Sequence, residues 1–232
     1  MATNNKYNSW HEDHNGDDDI NNPWHNFSKA KLGELETNGK TILEIGCGRG
    51  GFSNYIGLNH PNISKLYACD YSEAALEIAK DKFGTFENKI EWKQQDIQNM
   101  SFADNSIDIA ISCETIEHIP SSKKGIQELA RVLKPGGFLI LTCPNYFNLF
   151  GIWCLYRKFI GKPYDEGGQP FVRYIKTPVV YSQLRNAGFN IIKFQSVDLT
   201  IPARHPKHFF MKGLPGSIAF MGLQTFYFLQ KK

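Results

Sequence analysis

Three residues capable of acid–base or metal chemistry fall within five positions in the segment CETIEHI: Glu114, Glu117 and His118. Their i, i+3, i+4 spacing puts them on one face if the chain is helical there. Three readings are open. The trio could ligate a divalent cation such as Mg2+, which would orient an acceptor oxygen and lower its pKa; a fourth ligand would then come from His205 or His208. His118 could instead act as a general base, with Glu117 as the other member of a catalytic pair. Or the acids simply favour a helix N-terminus and His118 packs on a wall.

A second signal lies upstream. In LEIGCGRGGF, Gly46, Gly48 and Gly50 alternate directly after an apolar run and before a helical pattern. Such a loop turns tightly and lets a ligand approach the backbone. Asp70 ends the next apolar run, about 20 residues on, where an acid hydrogen-bonds ribose hydroxyls in nucleotide-binding α/β folds. Asp96, in QQDI, is placed to accept from an exocyclic amine. The glycine spacing departs from G-x-G-x-x-G. The carboxylates of Glu44 and Asp96 suit a ligand carrying an ammonium and a sulfonium better than one carrying phosphates.

Elements that could position these residues recur in order. TILEIGC (41–47), SKLYACD (64–70), KIEWKQQD (89–96), SIDIAISCE (106–114) and FLILTCPN (138–145) read as strands. Helical patterns lie between them: GGFSNYIGLNH; SEAALEIAKDKFG, with Ser72 as N-cap and Gly84 as its stop; and SKKGIQELARVLKPGG, ended by Pro135-Gly136-Gly137. This alternation predicts a parallel sheet wrapped on both faces. The tail predicts a helix, a turn at Gly188, a strand, and a final strand QTFYFLQKK pairing antiparallel with it. Segments 145–177 and 201–223 are left over as apolar insertions, where Tyr164, Asp165, Tyr174 and His208 are candidates for acceptor contact.

Composition narrows the class. A chain of 232 residues suits one α/β domain, and 41% hydrophobic with 21% charged residues is ordinary for a globular protein. A net charge of +3 with no long basic run makes a nucleic-acid partner unexpected. Five cysteines without a C-x-x-C pair predict buried, reduced thiols. With no signal-like start and no uninterrupted apolar span, the expectation is a cytoplasmic protein without a transmembrane segment. The first 20 residues are acidic and polar, which favours a mobile arm, yet Tyr7, Trp10, Trp24 and Phe27 must cover something: a substrate, or the arm's own domain.

ILEIGCGRGGF, LYACDYS, QQDI, FADNSIDIAISCETIEHI, ELARVLKPGGFLILTCPN and LRNAGFNII, in this order over about residues 40–200, resemble the class I S-adenosylmethionine-dependent methyltransferases. The resemblance implies a Rossmann-like α/β fold, with a seven-stranded, mostly parallel sheet, helices on both faces and an antiparallel last strand. Residues 40–232 would be one methyltransferase domain, its insertions forming a substrate cover, with residues 1–39 an arm or lid. S-adenosyl-L-methionine would be the cofactor. Gly46, Cys47 and Gly48 would line its methionine part, and Glu44 would fix that loop. Asp70 would hold the ribose, Tyr71 the sugar or base, and Asp96 with the Ile97 N–H the adenine. Cys113 would face the methionine end. E-x-x-E-H is similar to the element of the metal-dependent ubiquinone-pathway O-methyltransferases. The implied acceptor is a small molecule, most simply a hydroxyl on a hydrophobic or natural-product-like compound; a small amine, an RNA 2′-hydroxyl, or a non-catalytic cofactor-binding subunit are the alternatives. The apolar insertions could equally form a homodimer face.

Overall fold

The structure is a computed structural model that describes residues 2–13, 20–84, 89–164, 167–201, 207–209 and 216–232. Five parallel strands run from N- to C-terminus: β1 (Thr41–Ile45), β2 (Lys65–Asp70), β3 (Ile90–Gln94), β4 (Ile107–Cys113) and β5 (Leu133–Pro144). They are followed by β6 (Phe189–Val197), a short pair β7 (Leu199–Ile201) and β8 (Lys207–Phe209), and β9 (Gln224–Lys231). The main sheet has seven strands in the order β3-β2-β1-β4-β5-β9-β6, with β9 antiparallel to both of its neighbours. This is the expected Rossmann-like architecture, including the antiparallel last strand.

The central strands read as continuous apolar runs because both sheet faces are covered. Alternate residues feed two cores: Leu43 and Ile45 pack on one side with Ile126 and Leu129, and Ile42 packs on the other with Phe52, Ile56 and Leu66. The covering helices are α3 (Gly51–Asn59), α4 (Glu73–Phe83), α5 (Ser122–Val132) and α7 (Thr177–Asn186). The expected punctuation of α4 is present: the Ser72 hydroxyl accepts from Ala75 N, and Gly84 ends the helix at φ +63°. In contrast, α5 stops at Val132 rather than running to Pro135. Leu133 is already extended and pairs with Ile107, and Pro135 disfavours a helical Lys134.

The described part of the N-terminal region forms two helices, α1 (Ala2–Asp13) and α2 (Pro23–Gly33). The four aromatic residues divide between the two expectations. Phe27 is buried and stacks on Phe226 at 5.2 Å, and Trp24 packs on the same core, whereas Tyr7 and Trp10 reach the carboxyl edge of the sheet. The first insertion builds α6 (Leu149–Phe159), whose inner face meets a cluster of Tyr146, Phe150, Trp153, Tyr164 and Tyr174 with ring centroids 4.7–6.1 Å apart. All five cysteines are free thiols. Among the described residues, no helix is long and apolar enough to cross a membrane.

Candidate functional site

Parallel strands deliver their C-terminal ends to one edge, and a cavity of about 420 Å3 opens there. Its walls include Gly46 and Gly48 after β1, Asp70 and Tyr71 after β2, Gln95 to Gln98 after β3, and Glu114, Thr115 and His118 after β4.

The glycine loop is tied down before any ligand is considered. Gly46 N and Cys47 N both donate to Cys69 O, at 2.8 and 2.9 Å, and Gly48 N donates to Asp70 Oδ2 at 2.8 Å. Asp70 Oδ1 accepts from Ser72 N at 2.9 Å, so its carboxylate holds the β1 and β2 turns together. Each carboxylate oxygen has a second lone pair, which leaves acceptor capacity for a ligand. Gly46 is obligatory: its φ is +82°, and an added Cβ would lie 2.2 Å from Thr115 Oγ1. Gly50, at φ +79°, allows Trp92 to pack where a Cβ would sit 2.5 Å from the indole.

Of the expected cofactor contacts, Gly46, Gly48, Asp70, Tyr71, Asp96 and Ile97 line the cavity. Glu44, Cys47 and Cys113 do not. Glu44 is 3% exposed and accepts from Ser53 Oγ, which fixes β1 to α3 from behind the loop. Burial pushes its carboxyl up to about 8, overcoming the opposing Ser53 bond. Cys47 is buried in the core, its thiol turned to its own loop at Gly48 O. The Cys113 thiol faces Ser28 Oγ of α2 at 3.2 Å. Side chains alternate along a strand, so a residue near a strand end points to a core as often as to the edge.

The CETIEHI segment is not helical. Glu114 takes a left-handed φ of +48°, Pro120 disfavours a helical Ile119, and α5 begins only at Ser122 with Ser121 as its cap. One shared face therefore does not form, and Glu114 and Glu117 stand too far ahead of the cap to serve the helix start. The Glu114 carboxylate accepts from Thr142 Oγ1 at 2.8 Å. Glu117 is 1% exposed, its Oε1 lying 3.6 Å from His118 Nε2. His118 Nδ1 meets Phe171 O at 2.9 Å, so Nδ1 carries the proton and the neutral ring keeps its lone pair on Nε2. Burial lowers the His118 pKa, against the smaller raising effects of the Phe171 carbonyl and Asp70. Among the described residues no group of three His, Cys, Asp or Glu side chains is placed to hold a metal, and Glu114, Glu117 and His118, oriented to separate partners, do not fit Mg2+. His205 lies outside the described residues.

The remaining walls come from segments that carried no motif. From α1, Tyr7, Trp10 and His11 face the cavity. Tyr7 OH donates to His118 O at 3.0 Å, Trp10 Nε1 to Gly167 O at 2.9 Å, and Arg49 to His11 O. Ser72 Oγ, the α4 cap, donates to Asn8 Oδ1 at 2.8 Å. From the first insertion, Gln169 lines the cavity and Arg173 N donates to Glu117 O at 2.8 Å. Tyr164 and Tyr174 belong instead to the aromatic cluster under α6. Asp165 lies outside the described residues, and His208 falls in β8.

Residues 43–141 match the family described as Methyltransferase domain. Over that stretch, somewhat under half of its length, the chain is similar to a methyltransferase domain. Over 130 residues, 53% of this chain and 51% of the relative, the domain is 30% identical to a demethylmenaquinone methyltransferase of Desulfitobacterium hafniense. Over 180 residues, 75% of this chain and 76% of the relative, it is 22% identical to a ubiquinone biosynthesis O-methyltransferase of Coxiella burnetii. The chain spans about half, or less, of the length of several curated relatives it matches. The methyltransferase fold also superimposes on an S-adenosylmethionine-dependent methyltransferase of Mesorhizobium loti, with a TM-score of 0.63 and 15% identity, covering 88% of this chain and 96% of that one.

Proposed function

We propose that this protein binds S-adenosylmethionine in the cavity at the sheet edge and methylates a hydroxyl of a small, largely apolar acceptor. The observation that carries the reading is the neutral His118 on the wall of the cavity that Asp70 and Asp96 also line. The lining suits the cofactor: three carboxylates, Asp70, Asp96 and Glu114, apolar Ile45, Ile97 and Ile119, and no Lys or Arg among the lining residues, where a phosphate-bearing ligand would want one.

When bound, the cofactor supplies a methyl group already activated by cationic sulfur. The protein's task is alignment and proton management. Asp70 accepts from the sugar hydroxyls, Asp96 from the adenine amine, and Gly46 and Gly48 leave room beside the backbone. His118 Nε2 takes the acceptor proton while the Phe171 carbonyl fixes the ring tautomer. Glu117, at 3.6 Å, then faces an imidazolium rather than a neutral ring. Ile119 and Pro120 keep water from that side, and α1 closes over the cavity as a lid. The relatives named for demethylmenaquinone and ubiquinone biosynthesis support an apolar acceptor.

The test is to incubate the purified protein with methyl-labelled S-adenosylmethionine and a cell extract, with and without chelator. Base-stable, ether-linked label in the organic fraction, insensitive to chelator, is the expected result. Label in RNA or protein, or loss of transfer on chelation, would sink the acceptor class or the metal-free role of His118.

A further inference from the structure

Helix α6 is apolar on both sides. Its inner face buries Gly151 and Cys154 and lays Phe150 and Trp153 on the aromatic cluster. Its outer face should then be polar, as on an ordinary surface helix. Instead Ile152, Leu155, Tyr156 and Phe159 recur there at i, i+3, i+4 and i+7, exposed by 63, 53, 59 and 90%. Leu149 and Ile160 continue the stripe at its two ends, half-exposed. Sequence periodicity hides this stripe because the buried side of the same helix is apolar as well. A contiguous exposed apolar stripe marks a contact surface.

Charge indicates which contact. Segments 145–177 and 201–223 hold eight Lys or Arg and two Asp or Glu, out of chain totals of 26 and 23. The two insertions thus carry a net +6, while the rest of the chain, with 18 and 21, is net −3. Residue 201, where the second insertion begins, is the last of β7, which lies against α6. Lys158 and Lys162 are exposed beside Phe159 at the helix C-terminal end. A second copy would set this basic region against itself in a two-fold contact. An anionic surface with an apolar interior satisfies both features.

We infer that α6 is an interfacial anchor, laying its Ile152–Phe159 stripe into an anionic lipid surface while Lys158 and Lys162 engage the headgroups. The inference does not depend on the reaction assigned to the cavity. Flotation of the full chain with vesicles of equal parts phosphatidylcholine and phosphatidylglycerol tests it, with pure phosphatidylcholine vesicles as the comparison. The expected result is binding to the anionic vesicles that is about tenfold weaker on neutral ones and falls as salt is raised. The pair Ile152→Ser and Phe159→Ser, both outward-facing, should lose about tenfold in binding at an unchanged melting temperature; Lys158→Glu with Lys162→Glu should lose binding to the anionic vesicles. Absence of vesicle binding, or equal binding to neutral vesicles, overturns the anchor. So does a dimer in solution that the serine pair converts to monomer, which would assign the stripe to a second copy.

Discussion

The two sides of the cavity are held in place differently. On the side of Gly46, Asp70 and Asp96, each residue ends or follows a parallel strand, and the turns are locked by bonds such as Gly46 N to Cys69 O and Gly48 N to Asp70 Oδ2. On the side of His118, position depends on three segments distant in sequence: the loop after β4, the strap through Phe171 and Arg173, and helix α1 through Tyr7. The first side is rigid by construction, and the second is an assembly of loops that can be altered without touching the sheet. On the proposed function, a scaffold-borne wall for the cofactor and a loop-borne wall for the acceptor would let acceptors change while cofactor binding stays fixed.

Substitutions can break that division. His118→Ala should lower kcat by about 10²–10⁴-fold while leaving cofactor affinity within a few-fold, read by turnover and calorimetry side by side. A parallel loss of affinity would mean that the two walls are not independent. The wild-type rate should fall on the acid side only below about pH 6.5, the ordinary histidine value, because burial lowers the His118 pKa and only the neutral ring is a base. Asp70→Ala should weaken cofactor binding by about 10²–10³-fold, since charge-assisted hydrogen bonds are each worth about 1.5–3 kcal/mol. Turnover at saturating cofactor should suffer less.

Glu44 sharpens the comparison from beneath the rigid wall. Its folded pKa of about 8 lies above the unfolded carboxylate value, so the folded state holds the proton more tightly. The stabilisation is complete below the unfolded pKa and is lost as pH rises toward about 8, by at most about 1.4 kcal/mol per pH unit. Glu44→Gln should flatten the dependence of the melting temperature on pH across that window; an unchanged slope would place the titrating group elsewhere. The smallest effect is expected on the loop-borne side. Tyr7→Phe removes one bond to His118 O, worth about 0.5–1.5 kcal/mol, and should speed cofactor release by roughly threefold to tenfold in stopped flow.

The same division governs what the sequence could reveal. Strand ends are local: an apolar run followed by glycines or an acid names its own position, and Gly46, Gly48, Asp70 and Asp96 were all legible in that way. Facing direction was less so. Glu44 and Cys113 sit in the right runs but point to α3 and α2, because parity along a strand is decided by which core each face meets. For the loop after β4 a shared helical face was only a condition, and i, i+3, i+4 spacing carries no record of the left-handed Glu114 or of the stop imposed by Pro120 that rule it out. His11, Thr115 and Gln169 gave no signal at all. They join the wall through contacts between segments up to about 150 residues apart, and only packing specifies those.

Strand β9 has a consequence for synthesis. Residues 224–231 pair with β5 on one side and β6 on the other, although both partners are made earlier. A nascent chain that has emerged only as far as β6 has two sticky edges and nothing between them. A premature stop before residue 224 should therefore yield an aggregating fragment rather than a trimmed enzyme.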